Sequence, residues 1–104
     1  MTIREFQQLI DRIYGAKDGA RGTAGTFMWF TEEVGELSRA LRRGERAELE
    51  AEFADVLAWL STLASLHGVD LQAVAARKYG EGCPRCAATP CSCREPVARH
   101  DVAN

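Results

Sequence analysis

Two pairs of carboxylates, Glu33 with Glu36 and Glu52 with Asp55, each stand three residues apart in this 104-residue chain. At ~100° of rotation per residue, a three-residue step keeps both acids on one side of a helix, about 60° apart. Two such helices laid antiparallel bring four oxygen ligands toward one point, and oxygen ligands suit a hard divalent cation such as Mg²⁺. The opposing reading is a solvated acidic face, which usually carries a Lys or Arg four residues after each acid. Here those positions hold Leu37, Ala40, Val56 and Trp59. Acid repeats instead: Glu32 stands four residues before Glu36 and Glu48 four before Glu52, with Arg39, Arg42 and Arg43 offering partial relief. Like charges at that spacing destabilise a helix by a few tenths of a kcal/mol each.

The helical wheel adds position to spacing. Glu33 falls ~40–60° from Leu37 and Phe30, at the rim of an apolar arc, and Glu52 falls similarly close to Val56 and Leu63. Acids at the edge of a core raise one another's proton affinity unless something positive sits between them. A divalent ion shared by carboxylates, waters and substrate phosphates resolves that conflict. Trp29, four residues before Glu33, shares the flank. An indole at helical spacing is usually core, but beside a metal–phosphate site it can stack on a nucleobase.

The elements that must position these groups are helices. Thr2-Ile3-Arg4-Glu5 fits a capping box, and Phe6, Leu9, Ile10 and Ile13 carry a first helix to near Gly15. Lys17 to Gly25 reads as a linker, because four of its nine residues are Gly or Asp and the periodicity vanishes. Its Lys17 and Arg21 are either solvated surface charges or cations leaning over a phosphate. A second helix is expected over Thr26–Arg43, with Phe27, Phe30, Val34, Leu37 and Leu41 as its buried stripe and Gly44 as its stop. A third runs from Arg46 to His67, burying Leu49, Phe53, Val56, Leu60 and Leu63. The short connection at Gly44 makes this pair antiparallel. Leu71 to Tyr79 is a fourth helix, and no strand pattern occurs. The expectation is an all-α bundle of about four helices over residues 1–80.

Cys83, Cys86, Cys91 and Cys93 lie within eleven residues, with Pro84 and Pro90 bending the chain between them. Two residues between thiolates let both sulfurs reach one tetrahedral zinc, although the second half, Cys-x-Cys, is tighter than usual. Disulfides or free redox thiols are the alternative. Residues 81–93 are therefore expected to form a zinc knuckle, structural because all four positions are filled, and residues 94–104 a flexible tail. Hydrophobic residues at 46% and charged ones at 27% describe a globular chain. Its net charge of -2 gives no reason to expect a nucleic acid polymer or an anionic membrane as partner. No apolar run approaches the ~20 residues of a membrane span. The opening Met1-Thr2-Ile3-Arg4-Glu5-Phe6 lacks the apolar stretch of a signal peptide, so a cytoplasmic location is expected.

Glu32-Glu33-Val34-Gly35-Glu36-Leu37 followed, after a gap of fifteen residues from Glu36, by Glu52-Phe53-Ala54-Asp55-Val56-Leu57 resembles the E-x-x-E and E-x-x-D motifs of the MazG-like, all-α nucleotide pyrophosphohydrolases. The likeness covers roughly residues 23 to 93. It implies a Mg²⁺- or Mn²⁺-dependent hydrolase that cuts a nucleoside triphosphate between the α- and β-phosphates, giving a nucleoside monophosphate and pyrophosphate. It implies Glu33, Glu36, Glu52 and Asp55 as metal ligands. A carboxylate next to the site, Glu33 or Glu32, takes a proton from water. Lys78, with Arg77, either reaches the phosphates or merely complements the end of its helix. The resemblance further implies a site completed in a homodimer or homotetramer, since two long helices alone bury both faces poorly. The alternative is a catalytically idle module that binds a nucleotide or a protein and carries structural zinc.

Overall fold

Thr2 caps the first helix as its sequence predicts. The Thr2 hydroxyl accepts from the Glu5 amide at 3.0 Å, and Glu5 accepts from the Thr2 amide at 2.7 Å. These bonds hold the Glu5 carboxyl below its ordinary value. In the computed structural model, which describes residues 1–94, the chain forms α1 (Ile3–Arg43), α2 (Arg46–Leu66) and α3 (Leu71–Tyr79), with no strand among the described residues. Residues 95–104, nearly all of the expected tail, lie outside them. The described chain divides into two compact units, Met1–Gln72 and the residues from Ala73 onward.

The helix count is three rather than about four, because the expected linker is helical. Gly15 does not stop the first helix, and residues 16–21 and 23–25 continue it. Gly22 alone departs, with φ 76 and ψ -178, a backbone region open essentially to glycine only. The physical reason is tertiary. Glycine costs a helix about 1 kcal/mol against alanine, but Asp18 in the middle of this stretch is anchored by the Thr62 hydroxyl of α2 at 3.1 Å and by Arg21 at 2.8 Å. Local propensity is overridden by bonds to a helix more than forty residues away.

At the other end of α1, Gly44 takes the left-handed conformation (φ 73) and its amide closes on Ala40. Glu45 then caps α2, accepting from the amides of Ala47 and Glu48. This tight connection returns α2 antiparallel along the second half of α1, and the cross-helix pairs run in opposite order: Thr23 with His67, Trp29 with Trp59, Glu33 with Glu52. The first half of α1 lies on α2 through Gln7, which donates to Ser65 and to the Val69 carbonyl and accepts from the Leu71 amide.

The core of this unit is small. Ile10, Ala40 and Ala64 are its buried apolar residues, joined by buried Gln7, Asp18, Thr26, Ser61 and Thr62. The expected buried stripes are only partly covered. Phe27 (53%), Val34 (43%) and Leu41 (56%) on α1 are exposed, as are Phe53 and Leu60 on α2, whereas Phe30, Leu37, Leu49, Val56 and Leu63 are half-buried. Within this unit two long helices meet along one seam, with Ala40 and Ala64 buried in it, and a helix pair has a single shared face to cover its apolar residues. None of the helices among the described residues is long and apolar enough to cross a membrane.

In the second unit, α3 ends on Arg77 and Lys78, cations in the last turn that complement the helix dipole. The chain then folds into a knuckle: the Cys83 amide donates to Ala88 and the Ala87 amide returns to Cys83 at 2.7 Å.

Candidate metal centres and the adjoining cavity

Helical spacing puts Glu33 and Glu36 on one side of α1, and the antiparallel return puts Glu52 of α2 against them. One carboxylate oxygen from each lies within 4.8 Å of the other two. Oxygens across an octahedral Mg²⁺ stand ~4.2 Å apart, so small side-chain adjustments bring this trio to ligand geometry. Glu33 is half-buried and shows the strain of the arrangement. Its carboxyl is pushed up to about 7, first by burial, then by its hydrogen bond with Glu52, then by the charges of Glu36, Asp55 and Glu52. Its Oε2 is buried with no hydrogen-bond partner.

Compensation from the protein is slight. Arg39 reaches Glu36 at 3.6 Å, with both side chains well exposed, a weak contact. Glu48 also has a buried oxygen without a partner, but its other oxygen takes Arg43 at 2.8 Å. Three converging carboxylates, one with a buried and unpartnered oxygen, fit a hard cation, and the residues present suit magnesium or manganese.

The other predicted groups fall at different distances from this trio. Asp55 is exposed and outside the group of three, yet its charge is among those that raise Glu33. Glu32 is exposed and also outside it. Trp29, 54% exposed, stacks on Trp59 with centroids 6.1 Å apart and planes at 14°. Lys78 belongs to the second unit, where its ammonium lies 5.7 Å over the Tyr79 ring.

The fold also assembles a polar network that spacing alone does not reveal. The Asp18 carboxylate, 5% exposed, binds Arg21 and Thr62. The Arg21 guanidinium lies 4.9 Å over Trp59 and reaches the Thr26 hydroxyl at 3.4 Å. Asp18, Arg21, Trp59 and Thr62 border a cavity of about 300 Å³ that Lys17, Ala58 and Asp55 also line. The sequence signal was present but quiet: Asp18 and Arg21 sit three residues apart, which is meaningful only if that stretch is helical.

In the second unit the four cysteines are free thiols and converge. Cys83 and Cys93 sulfurs stand 3.8 Å apart, Cys86 and Cys91 sulfurs 4.0 Å, and all four lie within 4.8 Å of one another. Zinc–thiolate bonds of ~2.3 Å give a tetrahedral edge of ~3.8 Å, so the donor set matches. Backbone amides already point at sulfur, Ser92 to Cys86 at 3.4 Å and Cys93 to Cys91 at 3.3 Å. Bonds from the Ser92 side chain, then from backbone amides, draw Cys86 down to about 5, whereas hydrogen bonding with Cys91, then Cys86 and Cys83, pushes Cys93 up to about 12. The four sulfurs form a donor set that could hold one zinc ion.

Fold and centres together define an all-α protein whose paired acidic motifs meet across an antiparallel helical hairpin, followed by a four-cysteine knuckle. The model of the MazG nucleotide pyrophosphohydrolase domain matches residues 22–87, more than half of the chain, and the chain belongs to that family. No curated protein sequence matches it.

Proposed function

We propose that this chain is a nucleoside triphosphate pyrophosphohydrolase, dependent on magnesium or manganese, that hydrolyses the anhydride between the α- and β-phosphates. One water is consumed, and a nucleoside monophosphate and pyrophosphate leave. The observation that carries this reading is the convergence of Glu33, Glu36 and Glu52, whose carboxylate oxygens lie within 4.8 Å of one another, with Oε2 of Glu33 buried and unpartnered. Family membership supports it.

In this reading Glu33, Glu36 and Glu52 hold the ion, and Asp55 completes the set from the next turn of α2. The ion supplies neutralisation of the triphosphate and a more acidic water. A carboxyl whose proton affinity sits near neutrality can take a proton from water and return it, which suits Glu33. Glu32, turned ~100° from Glu33 on the same helix, is the second proton acceptor in the proposal. Trp29, 54% exposed and stacked on Trp59, is the aromatic contact for the substrate in the proposal.

A second copy of the chain belongs to the proposal, as a homodimer or homotetramer. Phe27, Val34 and Leu41 repeat every seven residues along α1, Phe53 and Leu60 do so along α2, and all five are exposed. Such a seam is what another helix pair covers. Zinc in the four-cysteine knuckle is structural in this account, and the protein acts in the cytoplasm on a small-molecule substrate.

The test is a panel of ribo- and deoxyribonucleoside triphosphates in Mg²⁺, with pyrophosphate and orthophosphate assayed separately. Pyrophosphate release, abolished by Glu36→Gln, supports the reading. Orthophosphate release, or no turnover with any triphosphate, removes it.

A further inference from the structure

The cavity beside the acids has features that the metal centre does not use. Its walls combine Ile10, Tyr14 and Trp59 with the polar groups Asp18, Arg21 and Thr62, and Asp55 lines it as well. Its volume, about 300 Å³, is at the small end of ligand pockets. The Asp18–Arg21 pair inside it is largely withdrawn from water, with side chains 8% and 24% exposed. The bond to Thr62 anchors this stretch of α1, but the ion pair itself adds little over apolar residues of the same size, which leaves it free for a second role.

Hydrogen-bond capacity supplies one. Among the described residues, the Arg21 hydrogen bonds run through Nη1, to Asp18 and Thr26, which leaves Nε and Nη2 with N–H groups to offer. Each Asp18 oxygen has one partner, Arg21 or Thr62, and a carboxylate oxygen can accept a second bond. The guanidinium is held over the Trp59 ring and so keeps its plane fixed. A donor and an acceptor therefore lie side by side, rigidly mounted, in a pocket with aromatic and aliphatic walls. That combination matches the edge of a nucleobase, which also presents a donor beside an acceptor. Lys17 lines the cavity too, so two cations face two carboxylates and charge alone selects neither end of a nucleotide; the aromatic and aliphatic faces of Tyr14, Trp59 and Ile10 are what favour a base over a phosphate.

We infer that this cavity receives the nucleoside end of the substrate, with Arg21 and Asp18 as its specificity-determining residues and Thr62 positioning Asp18. The phosphates then extend past Asp55 toward Glu33, Glu36 and Glu52. The inference rests on the hydrolase reading for the direction of the phosphates only.

Calorimetry on the full chain separates the two ideas. The probes are the ribo- and deoxyribonucleoside 5′-monophosphates and inorganic pyrophosphate, each titrated in Mg²⁺ into wild type, into Ala58→Leu, which adds bulk at a residue lining the cavity, and into Arg21→Lys, which keeps the charge and loses the planar fork. The expected result is that wild type binds at least one monophosphate, and both variants weaken it by at least about tenfold while pyrophosphate affinity stays within about twofold. If Ala58→Leu does not fold, Arg21→Lys carries the test. Wild type binding no monophosphate, parallel losses for both probes, or unchanged monophosphate affinity in the folded variants each overturn the inference. A Mn²⁺ titration of the same samples reports on the acids separately. Monophosphate held in the cavity without Mn²⁺ uptake removes the hydrolase reading and leaves this one standing.

Discussion

Replacing Glu33 by Gln keeps the shape of the side chain and removes one negative charge from the acidic trio, which makes the metal-free protein more stable at neutral and alkaline pH. The sign follows from proton linkage. The Glu33 carboxyl lies at about 7 in the folded chain against an ordinary 4.5, so the folded state holds this proton more tightly than the unfolded state does. Stability from the protonated group is fully present below 4.5 and is lost as pH rises through 7. At ~1.4 kcal/mol per tenfold change in proton affinity the upper limit is ~3 kcal/mol, and solvent reaching a half-buried side chain lowers this to ~1–2 kcal/mol. In a domain of this size each kcal/mol is worth ~4–8 °C in Tm. Thermal unfolding in a chelator, followed by circular dichroism from pH 4 to 8.5, should show wild type losing stability across that window and Glu33→Gln losing much less. Adding Mn²⁺ at pH 8 should stabilise wild type and leave the variant nearly unmoved. A variant less stable than wild type at pH 8 without metal, or equal responses to Mn²⁺, would refute the electrostatic reasoning.

Other perturbations address the rest of the account. Protein purified without chelator should carry one zinc per chain by metal analysis, and Cys86→Ser should lose it; a metal-free wild type would contradict the sulfur geometry. Phe27→Glu combined with Phe53→Lys should shift the mass measured by light scattering to that of a monomer, and a monomeric wild type would remove the seam argument. Gly22→Ala should cost ~1–3 kcal/mol in urea unfolding, because φ of 76 with ψ of -178 is closed to a side chain; an unchanged midpoint would mean the break at Gly22 is not required.

Much of the fold was legible because local signals agreed with one another. The Thr2–Glu5 box, the Gly44 stop and the short connection to α2 depend on residues a few positions apart, and each formed as its spacing implied. The placing of Glu33 beside Glu36 was legible for the same reason, since three-residue spacing survives any packing of the helices, whereas Glu52 joins them only through the antiparallel return and Asp55 lies outside the group of three. What sequence hid was long-range. The stretch around Asp18 looked like a loop because glycine weakens a helix, while the stabilising bond comes from Thr62 on α2. Periodicity marked Phe27, Val34 and Leu41 as apolar, but it carries no information about what covers them. The cavity followed from neither signal, because it depends on where the two halves of α1 meet α2.

The central claim is that Glu33, Glu36, Glu52 and Asp55 exist to hold a divalent ion. Isothermal calorimetry of Mn²⁺ into the metal-depleted protein, with a non-hydrolysable nucleoside triphosphate present, tests it most directly. The account predicts saturable uptake that Glu36→Gln and Glu52→Gln each abolish. No uptake by wild type, or uptake that survives both substitutions, would contradict it.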